Sequence, residues 1–155
     1  MERPGKPRIL VIDDREDTLE RTLQAIRNAL RHYEARIARG PWDGIDYLLG
    51  GGRFHERLRH PLPDLVLLKM AMTPIDGAEV LRQVKPYEQL RRIPIVLLCE
   101  NEDERGRAMA REARASGYVV MPLSSGGISG LLDRFAPPAP PPAPAAPNYA
   151  AMRFV

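Results

Sequence analysis

Apolar positions along this chain follow two rhythms that alternate. Ile9-Leu10-Val11-Ile12, Leu65-Val66-Leu67-Leu68 and Ile95-Val96-Leu97-Leu98 are apolar at every position and read as strands covered on both faces, as in a parallel sheet. Between such runs apolar residues recur at helical spacing, as Leu19, Leu23, Ile26 and Leu30 do. The pattern predicts strands over 8–12, 33–38, 64–68, 93–99 and 118–121. It predicts helices over 16–31, 42–49, 77–84, 102–115 and 128–135. Gly50-Gly51-Gly52 ends the second helix, Pro86 stops the third, and Pro94 sits where a strand tolerates it, near its start. Residues 53–62 form a charged connector, longer than a compact α/β unit needs.

Five strands alternating with five helices imply an α/β fold, a doubly wound, flavodoxin-like parallel sheet with right-handed crossovers. In the strand order 2-1-3-4-5, ligands sit beyond the carboxyl ends of the strands. The residues delivered there are Asp13 and Asp14 after the first strand, Lys69 after the third, Cys99 at the end of the fourth and Met121 at the end of the fifth. The sheet and its helices account for residues 1–135, and residues 136–155 are a tail. Seven prolines and five alanines fill residues 136–147, a composition that favours polyproline II over helix or sheet. Tyr149 and Phe154 follow as apolar anchors, so the tail reads as a solvated terminus or as an arm that docks on a partner or a second copy of the chain.

Composition narrows the function. The 23 Lys+Arg are scattered among 20 Asp+Glu for a net charge of +3, which disfavours a nucleic-acid surface. One cysteine precludes an internal disulfide and fits a reducing compartment. No apolar stretch reaches the roughly 18 residues of a membrane helix, and the N-terminus runs into a strand without a secretory apolar region, so a cytoplasmic location is expected. The sequence pairs no nucleophile with a base, which argues against an enzyme.

Five pieces occur in a specific order: Ile9 to Asp14, Pro63 to Leu68, Met72 to Gly77, Ile93 to Leu98, and Gly117 to Pro122. Over residues 7–135 they resemble the receiver domains of response regulators. The connector before the third strand, with Asp76 to Leu81 and Leu90 to Val96, looks most like single-domain regulators paired with bacterial phytochrome kinases. That resemblance implies two-component signalling, a sensor histidine kinase or downstream effector as partner, and a homodimer. It also implies four chemical groups: an acidic pair for Mg²⁺, an aspartate that accepts the phosphoryl group, a Ser or Thr, and a Lys.

In this chain the acidic pair is Asp13 and Asp14, the acceptor position is Lys69, the hydroxyl position is Cys99 and the lysine position is Met121. The aromatic switch position is Tyr118. An ammonium is neither a carboxylate nucleophile nor a metal ligand, so no cofactor is expected and Lys69 disfavours Mg²⁺ at Asp13 and Asp14. The expectation is a degenerate, phosphorylation-independent receiver with the Lys69 ammonium lying between Asp13 and Asp14. It would act by protein contact through Tyr118, Arg107 and Arg111 and through the tail. Two other readings stay open: a phosphorelay receiver whose acceptor is Asp64 or Asp76, and a receiver that senses a small ligand in its less polar pocket.

Overall fold

The computed structural model describes residues 6–29, 33–101, 104–121 and 125–135. The strands are β1 (Arg8–Ile12), β2 (Glu34–Ala38), β3 (Leu65–Lys69), β4 (Ile95–Cys99) and β5 (Gly117–Val120). The helices are α1 (Glu16–Ala29), α2 (Pro41–Leu49), α3 (Gly77–Val84), α4 (Glu104–Glu112) and α5 (Ser125–Phe135). The five strands form one parallel sheet in the order β2-β1-β3-β4-β5. The anticipated doubly wound architecture is therefore the observed one.

Strand side chains alternate between two cores. Ile9, Val11, Leu65, Leu67, Val96 and Leu98 pack with Leu19, Leu23 and Ile26 of α1 and Ile128 of α5. Leu10, Ile12, Val66, Leu68 and Leu97 pack on the other face with Tyr47 and Leu48 of α2 and with Val80, Leu81 and Val84 of α3. The central strands β3 and β4 are buried throughout, whereas the edge strands β2 and β5 are mostly half-buried. α4 is attached thinly, with Ala110 as its one buried residue.

Several boundaries moved for local reasons. β3 starts at Leu65 and runs through Lys69, and Asp64 just before it accepts from the Arg8 backbone N–H on its side chain at 2.7 Å and donates its own N–H to the Arg8 carbonyl at 2.8 Å. α2 begins one residue early, with Pro41 in its first turn where a missing N–H costs nothing. β4 begins after Pro94. α4 ends at Glu112, before Ala115, and Arg114 adopts a left-handed φ of 61° just beyond it. α5 begins at Ser125, three residues early. The last residues predicted for the first helix, the first two predicted for the fourth, and the tail with Tyr149 and Phe154 lie outside the described residues.

The long connector is built rather than loose. The Arg57 guanidinium donates to the carbonyls of Tyr47 at 2.6 Å, Leu48 at 2.8 Å and His60 at 3.2 Å, so it satisfies the last turn of α2 from outside. Phe54 is buried beside Tyr47 and His60, and the Tyr47 hydroxyl donates to the Pro61 carbonyl at 3.0 Å. The connector thereby delivers the chain to β3 in fixed register.

Candidate functional site

The carboxyl ends of β1, β3 and β4 converge on Lys69. Main-chain pairing of Lys69 with Leu98 fixes its position in the sheet, and its side chain is 1% exposed. Gly77, the first residue of α3, approaches so closely that a Cβ there would collide with the Lys69 carbonyl oxygen. Asp76 caps that helix by accepting from the Glu79 N–H at 2.9 Å.

The ammonium Nζ of Lys69 lies 3.5 Å from Asp13 Oδ1 and 3.5 Å from Glu100 Oε1, and it donates to Thr18 Oγ1 at 3.2 Å. Both carboxylate distances exceed the roughly 2.7–2.9 Å of a charge-assisted hydrogen bond, so the attraction is mainly Coulombic. Asp13 is the hub. Its Oδ1 accepts from the Arg15 N–H at 2.9 Å and its Oδ2 accepts from the Thr18 hydroxyl at 2.6 Å. A buried carboxylate needs such partners, and here β1, the first turn of α1 and the end of β3 supply them together.

One expectation is corrected. Lys69 does not lie between Asp13 and Asp14. Asp14 is exposed and turned away, with its Oδ2 accepting from the Thr73 backbone N–H at 3.1 Å. The second acid on the ammonium is Glu100, the residue after β4. Neither Glu100 nor Thr18 was singled out from the sequence. Each carried a usable signal: Glu100 follows a buried strand at the sheet's functional end, and Thr18 lies one helical turn beyond the Asp14–Arg15 corner.

The remaining predicted positions fall around this group. Cys99 is buried at the end of β4, and the Met121 N–H donates to its carbonyl at 2.6 Å. Met121 joins Arg15, Asp17, Thr18, Arg21 and Glu100 around an open cleft of about 280 Å³. Two arginines and two acids in that lining offset each other. A hydrogen bond from the Thr18 backbone N–H holds the Asp17 carboxyl below its ordinary value of 3.8, and the Arg15 guanidinium adds to the effect.

Tyr118, Arg107 and Arg111 form a separate surface. They line a groove of about 310 Å³ with Ala110, Ala115 and Gly117, and the Arg107 guanidinium lies 6.0 Å from the Tyr118 ring centroid. The Tyr118 hydroxyl donates to the Asn101 carbonyl at 3.0 Å. Asp64 and Asp76 are both engaged in structural hydrogen bonds away from the Lys69 group.

Mg²⁺ takes oxygen ligands in a near-ideal octahedron, and the oxygens at these strand ends are already engaged. Asp13 has committed both oxygens to donors and shares one with the ammonium, Asp14 faces Thr73, and a positive charge fills the end of β3.

Residues 9–132 match the response regulator receiver domain family. The probable methanogenesis regulatory protein FilR2 of Methanothrix harundinacea is 38% identical over 80 residues, which are 52% of this chain and 49% of that protein. The chain spans about half the length of the first sequence relatives it matches, or less. Among solved structures, the bacteriophytochrome response regulator AtBRR is similar at 30% identity and a TM-score of 0.73, over 85% of this chain and 94% of that one. The manganese-bound form of response regulator Rcp1 shares the fold at 21% identity and a TM-score of 0.72, over 87% of this chain and 99% of that one.

Proposed function

The chain belongs to the response regulator receiver domain family, and from that premise we propose that it is a phosphorylation-independent receiver. It signals by protein contact within two-component pathways and holds one conformation without a phosphoryl group. One observation carries this reading: the strand end where the family's acceptor is expected presents Lys69, whose ammonium sits 3.5 Å from Asp13. The cation already offsets the acidic site, so neither Mg²⁺ nor a transferable phosphoryl group is needed there. Cys99 and Met121 extend the argument, because a thiol is a weak donor and a thioether carries no charge.

The proposed docking face is the groove of Tyr118, Arg107 and Arg111. Its guanidinia suit an acidic contact on a sensor histidine kinase, a downstream effector or a second copy of the chain. The tail, with Tyr149 and Phe154, is proposed as an added interaction arm. A cytoplasmic setting fits these partners. Among the described residues no helix is long and apolar enough to cross a membrane.

Intact mass measured after incubation with a small phosphoryl donor and Mg²⁺ tests the reading. The expected result is an unchanged mass. A hydroxylamine-labile adduct on the native chain would overturn it and assign the acceptor to another carboxylate.

A further inference from the structure

The segment leaving β4 is tied at two consecutive residues, and the ties point in different directions. Glu100 reaches the ammonium of Lys69 at the end of β3, at 3.5 Å. Asn101 offers its carbonyl to the hydroxyl of Tyr118 on β5, at 3.0 Å. Beyond them α4 buries Ala110 alone along its length. A helix with so little apolar attachment takes its position largely from the segment that leads into it.

The two ends of the Glu100 tie differ in kind. Lys69 is 1% exposed and fixed by the strand, whereas the Glu100 carboxylate is 46% exposed. Asp13 pairs with Lys69 at the same distance, and its bonds from Thr18 and Arg15 do not involve Glu100. Glu100 therefore adds little to the charge balance at the buried end, and its contact chiefly fixes where its own segment sits.

We propose that Glu100 is a latch. Its ion pair with Lys69 holds Glu100 and Asn101, the residues leaving β4, against the strand ends, keeps the Tyr118 hydroxyl on Asn101, and so sets the α4 face that carries Arg107 and Arg111. This rests on the reading of Lys69 as the resident charge of the site. It adds the route by which that charge reaches the docking surface.

Glu100→Gln in the full chain tests the latch, because glutamine keeps the length and loses the charge. Hydrogen exchange of the amides of 104–112 should accelerate about three- to fivefold, with protection of β1 and β3 unchanged. The wild-type chain should approach that rate in high salt, since a half-exposed pair is screened, while the variant should respond little to salt. Exchange in α4 within twofold of wild type, in the variant or in high salt, would overturn the latch. Should the variant fold poorly, the salt series on the wild-type chain decides by itself. A phosphoryl adduct in the mass experiment would instead overturn the reading of Lys69, so the two failures are separable.

Discussion

Replacing Lys69 with methionine keeps an unbranched, flexible side chain and deletes the ammonium, so it isolates the charge. The ammonium lies 3.5 Å from an oxygen of Asp13 and 3.5 Å from one of Glu100. At that separation and an effective dielectric near 20, each pair is worth about 5 kcal/mol before desolvation. The Glu100 pair realises little of this, because one partner is half exposed and water screens it to about 0–1 kcal/mol. Asp13 has no such relief at 2% exposure. After the substitution it keeps its hydrogen bonds from Thr18 and Arg15 but remains a buried charge without a counter-ion. Removing one partner of a buried pair costs about 3–5 kcal/mol, and the retained hydrogen bonds place Lys69→Met near the lower end. Urea unfolding followed by circular dichroism should show a lower midpoint at unchanged slope. Melting should fall by about 6–12 °C. Adding Asp13→Asn should recover about half of the Lys69→Met loss, roughly 1.5 kcal/mol, so the double variant should lose well under the sum of the two single losses. A loss below about 1 kcal/mol, the range of an ordinary substitution, or a double variant whose losses simply add, would refute the account of Lys69 as the charge that holds this site.

Two further outcomes follow from the rest of the fold. Arg57→Ala should cost about 1.5–3 kcal/mol, because three carbonyls lose a charged donor; it should also speed proteolysis within residues 53–60, and cleavage as slow as in wild type would contradict the pinning described. Burial pushes the Tyr47 hydroxyl above its ordinary value of 10.0. The folded value is the raised one, so its contribution to stability is complete below about pH 10 and lost as pH rises through the folded value. Tyr47→Phe should remove its share of the alkaline loss together with one high-pH step of a tyrosine absorbance titration, leaving that of Tyr33, which burial also raises, and a variant that loses as much stability as wild type over that range would count against it.

Much of the architecture is legible in the sequence because strands buried on both faces leave little ambiguity. Leu65 to Leu68 and Ile95 to Leu98 admit few other readings. Helix ends are less legible because they depend on single backbone conformations, such as Arg114 just past α4, or on a proline that serves as a first-turn residue, as Pro41 does. Lys69, Cys99 and Met121 announce themselves by their place at strand ends. Their partners do not. The family resemblance suggested Asp13 and Asp14 as a pair, yet successive residues leaving a strand point in opposite directions, and Asp14 went to Thr73. Glu100 and Thr18 come from other elements, so the packing of β4 and α1 against β3 had to be known before they could be placed.

The charge at the end of β3 also bears on how such a chain changes over generations. Aspartate substituted at position 69 alone would add a third carboxylate beside Asp13 and Glu100, with Met121 nearby where a compensating cation is expected. That intermediate would combine like-charge repulsion with a poorly formed acceptor site. On the proposed reading, phosphoryl chemistry at this strand end would need changes at Cys99, Glu100 and Met121 as well. On that reading the site resists single changes, whereas the outer surface of α4, with Ala110 as its one buried residue, tolerates them.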